Sequence, residues 1–279
     1  MNPIQSFLRS YDGAAVTHNL FAHLIVQGVI ITVILSVLSQ FAGVVIGLIL
    51  YFMRRARFQP IRWVANAYIW FFRGTPLLVQ ILFVYLAMPY LSLARPLRAA
   101  DVFTSLGFTG IYTDSFVAGL LAFSLNEGAY MAEIVRAGID SIDPGQMEAA
   151  KTLGMTYWLG MRRIVLPQAM RVILPPLGNE FNSMLKTTSL VSVISLYDLL
   201  GAAEAIGSPQ FRTLELLTVA CLWYLLLTTL WTFVQSALER RFSASSRDPG
   251  AGKVNWSRFA LPDRLFRASP GVGVGNLTR

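Results

Sequence analysis

Apolar residues in this chain gather into long uncharged runs instead of recurring as one face of amphipathic elements. Leu24 to Met53 holds no Asp, Glu, Lys or Arg over 30 residues, and Leu216 to Leu238 holds none over 23. A bilayer core about 30 Å thick needs about 20 helical residues, so either run is long enough to span it. Five spans read out along the chain, at 24–53, 66–92, 115–136, 173–199 and 214–237. Arg73 interrupts the second, and the Gly74-Thr75-Pro76 that follows predicts a bend or an interfacial elbow. Pro76 can open the helix beyond it, because a first helical turn has no use for the missing N–H. The expected fold class is an all-α membrane protein.

Composition narrows the function classes. Mean hydropathy is +0.54 and only 14% of residues are charged, against about 25% in soluble domains, which excludes an ordinary soluble enzyme. Cys221 is alone and lies inside the last apolar run, which excludes a disulfide scaffold. A C-x-x-C pair, an H-E-x-x-H motif and a histidine cluster are absent from the sequence, so no catalytic or metal residue is expected. His18 and His23, just before the first span, read as solvated or interfacial. No cleavable signal peptide is expected either: Arg9 is the sole basic residue before Leu24, and the first run is far longer than a signal-peptide core.

Charge sets the expected orientation. With the N-terminus outside and the C-terminus in the cytoplasm, 17 of the 23 basic residues fall inside, among them Arg54, Arg55, Arg57, Arg62, Arg136, Lys151, Arg162, Arg163 and Arg171. The positive-inside bias favours this arrangement over its inverse. The net charge of +8 is then an effect of topology and of contact with anionic lipid. A nucleic-acid binder would need a folded basic surface with aromatic platforms, and none is predicted. On this reading residues 1–23 form an extracytoplasmic segment, 24–240 the transmembrane domain, and 241–279, rich in Ser, Gly and Pro, a disordered cytoplasmic tail.

The loop between the third and fourth spans, about 140–168, is strongly patterned. Asp143-Pro144-Gly145-Gln146 has the form of a helix start: Asp143 accepts from orphan N–H groups, Pro144 takes the first position, and Gln146 can reach back as a capping-box partner. The helix would carry Met147 to Leu153 and stop at Gly154, where a left-handed cap costs no Cβ clash. A second short helix would begin after Thr156 and end before Pro167. Two adjacent alanines give such a helix a low profile that fits a groove of another protein, and Glu148 offers a fixed charge there. An amphipathic linker resting on lipid headgroups is the alternative that the chemistry alone leaves open.

The string Glu148-Ala149-Ala150, three residues, Gly154, nine residues, Ile164, one residue, Leu166-Pro167 resembles the EAA loop of ABC-importer permeases in residue type and spacing. Phe72-Arg73-Gly74-Thr75-Pro76, Ala129-Tyr130-Met131-Ala132-Glu133, Asn179-Glu180-Phe181 and Thr188-Ser189-Leu190 resemble the polar amino-acid branch, the histidine/glutamine/arginine type. The resemblance covers roughly 24–240. It implies a bacterial inner-membrane subunit that pairs with a second permease copy or paralogue. Such a subunit docks ATPase chains through Glu148, Ala149, Ala150 and Gly154, and receives amino acids from an extracytoplasmic binding protein. The chain has no G-x-x-x-x-G-K-[ST] loop, so ATP and Mg would belong to the partner ATPase and no cofactor to this chain. A secondary transporter or channel is the competing class, but it has no need of the helix–glycine–helix unit.

Ionisable groups inside spans are costly unless paired or wetted, which singles out Glu127, Glu180 and Lys186. Either Lys186 pairs with one of the glutamates, or the three line a polar path. Glu180 and its neighbour Asn179 are the leading path candidates. Glu127 departs from the small residue that the resemblance leads one to expect before Ala129-Tyr130. Glu133 and Arg136 are expected as a structural pair near the inner end, Arg73 as an anchor, and Trp223 and Trp231 as packing residues.

Overall fold

The computed structural model describes residues 11–91 and 113–243, and among these every regular element is helical. In chain order they are α1 (Gly13–Asn19), α2 (His23–Arg54), α3 (Gln59–Gly74), α4 (Leu77–Leu91), α5 (Thr113–Asp140), α6 (Pro144–Thr152) and α7 (Tyr157–Gly160). A π-helical turn (Met161–Val165) joins α7 to α8 (Leu166–Thr187), and a 3-10 stretch (Thr188–Ile194) precedes α9 (Leu199–Gly207) and α10 (Thr213–Ser243). The expected tail lies outside the described residues from 244 onward.

Two helices, His23–Arg54 and Thr213–Phe242, are long and apolar enough to cross a bilayer unaided. Two bent pairs reach that standard if each counts as one span: α3 with α4, bent by 108°, and Tyr157–Ile194 with α9, bent by 47°. At 28 residues α5 has the length, but Ser115, Ser124, Asn126, Glu127 and Glu133 dilute its apolar character.

Small residues bring α2 and α5 into close contact. A Cβ at Gly43 would come within 2.6 Å of Glu127 Cγ, one at Gly47 would collide with Met131 Cβ, and one at Gly128 with Ile46 Cγ2. In an apolar solvent helices gain nothing from merely leaving water, so backbone-close packing of this kind carries the association. A second seam joins α8 to α10, where the Trp231 ring packs tilted against Phe181, centroids 4.2 Å apart, and its indole N–H donates to Gly178 O at 2.8 Å. Trp223 likewise donates to Leu20 O at 2.8 Å, tying α10 to the turn before α2.

The elbow at Gly74-Thr75-Pro76 breaks a helical ladder and leaves carbonyls without donors. The Gln80 amide repairs it, donating to Phe72 O at 3.0 Å, Thr75 O at 3.1 Å and Thr75 Oγ1 at 2.7 Å. Asn126 of α5 donates to the same Phe72 carbonyl and to Gln80 Oε1, each at 3.0 Å. A polar knot thus fixes the bend against α5.

Two sequence expectations need correction here. The helix beginning at Tyr157 does not end before Pro167; the π-helical turn widens the backbone there and Pro167 falls in the first turn of α8, so the chain runs on as helix. The region expected as a single span at 173–199 leaves α-helix at Thr187 and tightens into the 3-10 stretch, ending at Ser195 with a left-handed φ of 59°.

Candidate functional site

A cavity of about 370 Å³ opens between the α3–α4 elbow, α5 and α8, within the range of small-molecule pockets. From α5 come Asn126, Glu127 and Tyr130; from α8 come Glu180, Ser183, Met184 and Thr187; Thr75, Pro76 and Leu77 close it at the elbow. Positions 180, 183, 184 and 187 share one helical face, as do 126 and 130. The lining includes two carboxylates and no lysine or arginine.

Glu127 is 4% exposed, and its Oε1 has no hydrogen-bond partner. Gly43 permits this placement, since a side chain there would occupy the space of the glutamate stem. Glu180 is half-buried on the facing helix. Neither carboxylate takes part in an ion pair among the described residues. Lys186 is exposed and outside the cavity lining, so the pairing of Lys186 with a glutamate is not formed. The reason is angular: six residues separate 180 from 186, about 600° of helix rotation, which turns them to different faces. Asn179 also faces elsewhere, accepting from Gln235 Nε2 at 3.1 Å in the α8–α10 seam.

About one and two-thirds turns beyond Glu127, Glu133 has the opposite surroundings. Arg54 donates to its Oε1 at 2.6 Å and Arg136 to its Oε2 at 2.7 and 2.9 Å. Arg73 approaches the same Oε1 at 4.0 Å while its guanidinium lies over the Tyr130 ring at 5.3 Å. Among the described residues no group of three or more His, Cys, Asp or Glu could hold a metal.

The second feature is the α6–α7 knob. Asp143 accepts from Gly145 N–H at 2.7 Å and Pro144 takes the first turn. At the other end Gly154 has φ +79°, its N–H donates to Lys151 O at 2.9 Å, and Met155 N–H donates to Ala150 O at 3.0 Å. This is the paired closure of a Schellman motif. Gln146 contributes its backbone N–H to Asp143 O rather than a described side-chain cap. The two alanines divide their roles: Ala149 and Glu148 are exposed, whereas Ala150 is buried against Gly160, where a Cβ would come within 3.2 Å of it. Leu153 and Trp158 stand 80% and 68% exposed beside Glu148 on the same short unit.

Sequence reasoning passed over Tyr130, Ser183 and Thr187, which line the cavity. The signal was there in the spacing: polar positions at i, i+3 and i+7 from Glu180 inside an otherwise apolar segment mark a wetted helix face.

The family model for binding-protein-dependent transport system inner membrane components matches residues 43–244. The chain belongs to this family. Among similar permeases, the arginine transport system permease protein ArgU of Corynebacterium glutamicum is 43% identical over 216 residues, 77% of this chain and 67% of that one. The arginine transport system permease protein ArtQ of Bacillus subtilis is 37% identical over 221 residues, 79% of this chain and 93% of that one. Among solved structures, a crystal structure of an amino acid ABC transporter with histidines matches with a TM-score of 0.68 and 38% identity, over 82% of this chain and 98% of that one. As a member of this family the chain is an ABC-importer permease subunit, and ATP hydrolysis lies on a separate chain.

Proposed function

We propose that this permease carries net-neutral zwitterionic or cationic amino acids, such as glutamine, histidine or arginine, and that the 370 Å³ cavity is part of their path. The observation that carries the reading is the pair of glutamates facing that cavity without a lysine or arginine in its lining. A buried carboxylate in a membrane helix with no ion pair among the described residues and one oxygen without a hydrogen bond favours a ligand that brings the missing cation. Identity of 43% and 37% to two arginine permeases supports the same choice.

The reading includes a bacterial inner-membrane, multi-pass topology of five spans, with α3 and α4 as one broken span and the N-terminus outside. The positive-inside bias and the lengths of α2, α5 and α10 support it. The transmembrane domain is taken as 24–240, with the loop at 140–168 cytoplasmic. Two permease copies, or this chain and a paralogue, form the path, an extracytoplasmic binding protein delivers the amino acid, and ATP with Mg is held by the ATPase. In this scheme α6 is the coupling helix. Glu148, Ala149, Leu153 and Trp158 present the contact surface, while Ala150 and Gly154 give the knob its shape. A rigid capped unit joined to α5 and α8 transmits motion to both helices that supply the glutamates.

Reconstitution in vesicles with the binding protein and ATPase tests this. ATP-driven uptake should prefer arginine or glutamine over glutamate, and preference for an acidic amino acid would overturn the charge argument. Glu148→Arg and Gly154→Asp should insert normally yet recover severalfold less ATPase in pull-down. Gly154→Asp acts through its φ of +79°, which glycine adopts freely, and through the charge it adds to the exposed cap. Full ATPase recovery by both variants would remove the knob from coupling.

A further inference from the structure

The corner between α9 and α10 holds a feature that neither the cavity nor the knob uses. Phe211 has φ +54° and is 97% exposed. A bulky residue in the left-handed region is an outlier, and a glycine or asparagine would serve a plain turn better. The conformation is held from both sides. Arg212 N–H donates to Gly207 O at 2.9 Å and Phe211 N–H to Ser208 O at 3.3 Å. The Arg212 guanidinium pairs with Asp12 Oδ2 at 3.1 Å, and Asp12 N–H donates to the buried Glu215 at 3.1 Å. The aromatic tip is therefore presented by a braced turn.

The residues on either side of Phe211, Gln210 and Arg212, line a cavity of about 400 Å³ together with Asp12, His18, Asn19 and two alanines of α1. An exposed aromatic next to a polar recess that holds the Asp12–Arg212 ion pair has the make-up of a protein–protein hot spot. A headgroup anchor would need the ring but not the recess.

We propose that this corner, with Phe211 as its knob and the Asp12–Arg212 recess as its socket, is a docking surface for the extracytoplasmic amino-acid-binding protein. The proposal rests on the five-span topology proposed above, which puts the start of α10 on the outer face. It goes beyond that reading by assigning the contact to particular residues. The family is binding-protein-dependent by its own description, so a soluble partner must engage the outer end of the subunit. The corner joins the start of α10, through Trp223 and Leu20, to the turn that leads into α2. A partner that grips it holds both long helices at one end.

The test uses the full transporter with its ATPase in vesicles and the purified binding protein of the same system. A photoreactive phenylalanine analogue at position 211 should yield a permease–binding-protein adduct. Phe211→Asn keeps a residue that tolerates φ > 0 but removes the ring. It should raise the binding-protein concentration for half-maximal uptake at least tenfold, with the maximal rate kept, while Phe211→Trp stays within twofold. An adduct with lipid or a second permease alone, or an unchanged half-saturation in Phe211→Asn, would overturn the docking surface. Binding-protein-dependent uptake by the wild type in the same vesicles would then leave the importer reading standing. Loss of that dependence in the wild type would take down both.

Discussion

Glu127 and Glu133 are six residues apart on one helix and meet opposite fates. Glu133 is held by Arg54 and Arg136 at 2.6 and 2.7 Å, with Arg73 at 4.0 Å, so its charge is neutralised within the chain. Glu127 is the more deeply buried, at 4% exposed against 18% for the Glu133 side chain, yet its Oε1 has no hydrogen-bond partner, and it faces a cavity that has a second carboxylate and no lining cation. Coulombic pairing accounts for the first as architecture, since a carboxylate flanked by guanidiniums stabilises the bundle that gathers them. The second has no ion pair among the described residues and keeps one buried oxygen without a hydrogen bond, and in the reading proposed above its cation arrives with the substrate. A charged residue in a span is thus functional or structural by its surroundings, not by its type.

The largest expected effect is on transport. Glu127→Gln keeps shape and removes charge, so the substrate concentration for half-maximal uptake should rise about tenfold or more, equivalent to ~1.4 kcal/mol, with thermal stability kept or raised. Unchanged uptake together with a lower melting temperature would make Glu127 structural and erase the contrast. The converse holds for Glu133→Gln. Part of this cluster is well exposed, with the Arg136 side chain at 44%, so the loss should be on the order of 1–2 kcal/mol, or roughly 3–6 °C, with the uptake half-saturation unchanged. Thermal unfolding of the purified complex, followed with and without arginine, separates the two variants: the ligand should stabilise Glu133→Gln as it does the wild type, and Glu127→Gln less. Smallest is Lys186→Gln, exposed and outside the cavity lining. It should alter neither melting temperature nor half-saturation by more than the error of the assays, and a tenfold effect on uptake would bring Lys186 back into the path.

Local chemistry made much of this legible beforehand. The helix at 144–152 follows from Asp143, Pro144 and Gly154, each acting on backbone groups within a few residues of itself, and the structure has the cap, the first-turn proline and the left-handed glycine. The elbow at 74–76 was likewise visible from Gly-Thr-Pro, though not the reach of Gln80 and Asn126 that fixes its angle. The expected helix stop before Pro167 failed because a proline ends a helix only when its missing N–H cannot be absorbed. Here the π-helical turn at Met161–Val165 absorbs it and the next helix starts at Leu166.

Sequence alone determined the class of molecule, the apolar helices, the capped knob and its family likeness, since these depend on run length, charge bias and contacts within one or two turns. Which ionisable residues share a space was decided only by tertiary structure. Glu127 meets Glu180 because Gly43 lets α2 lie against α5 and the elbow brings Thr75 to the same cavity. Lys186 and Asn179 turn to other faces of α8 for the same angular reason that keeps Glu180 inward. Such juxtapositions join residues about 50 to 100 positions apart. No local rule of spacing encodes them, because the free energy that selects them is the packing of whole helices against each other.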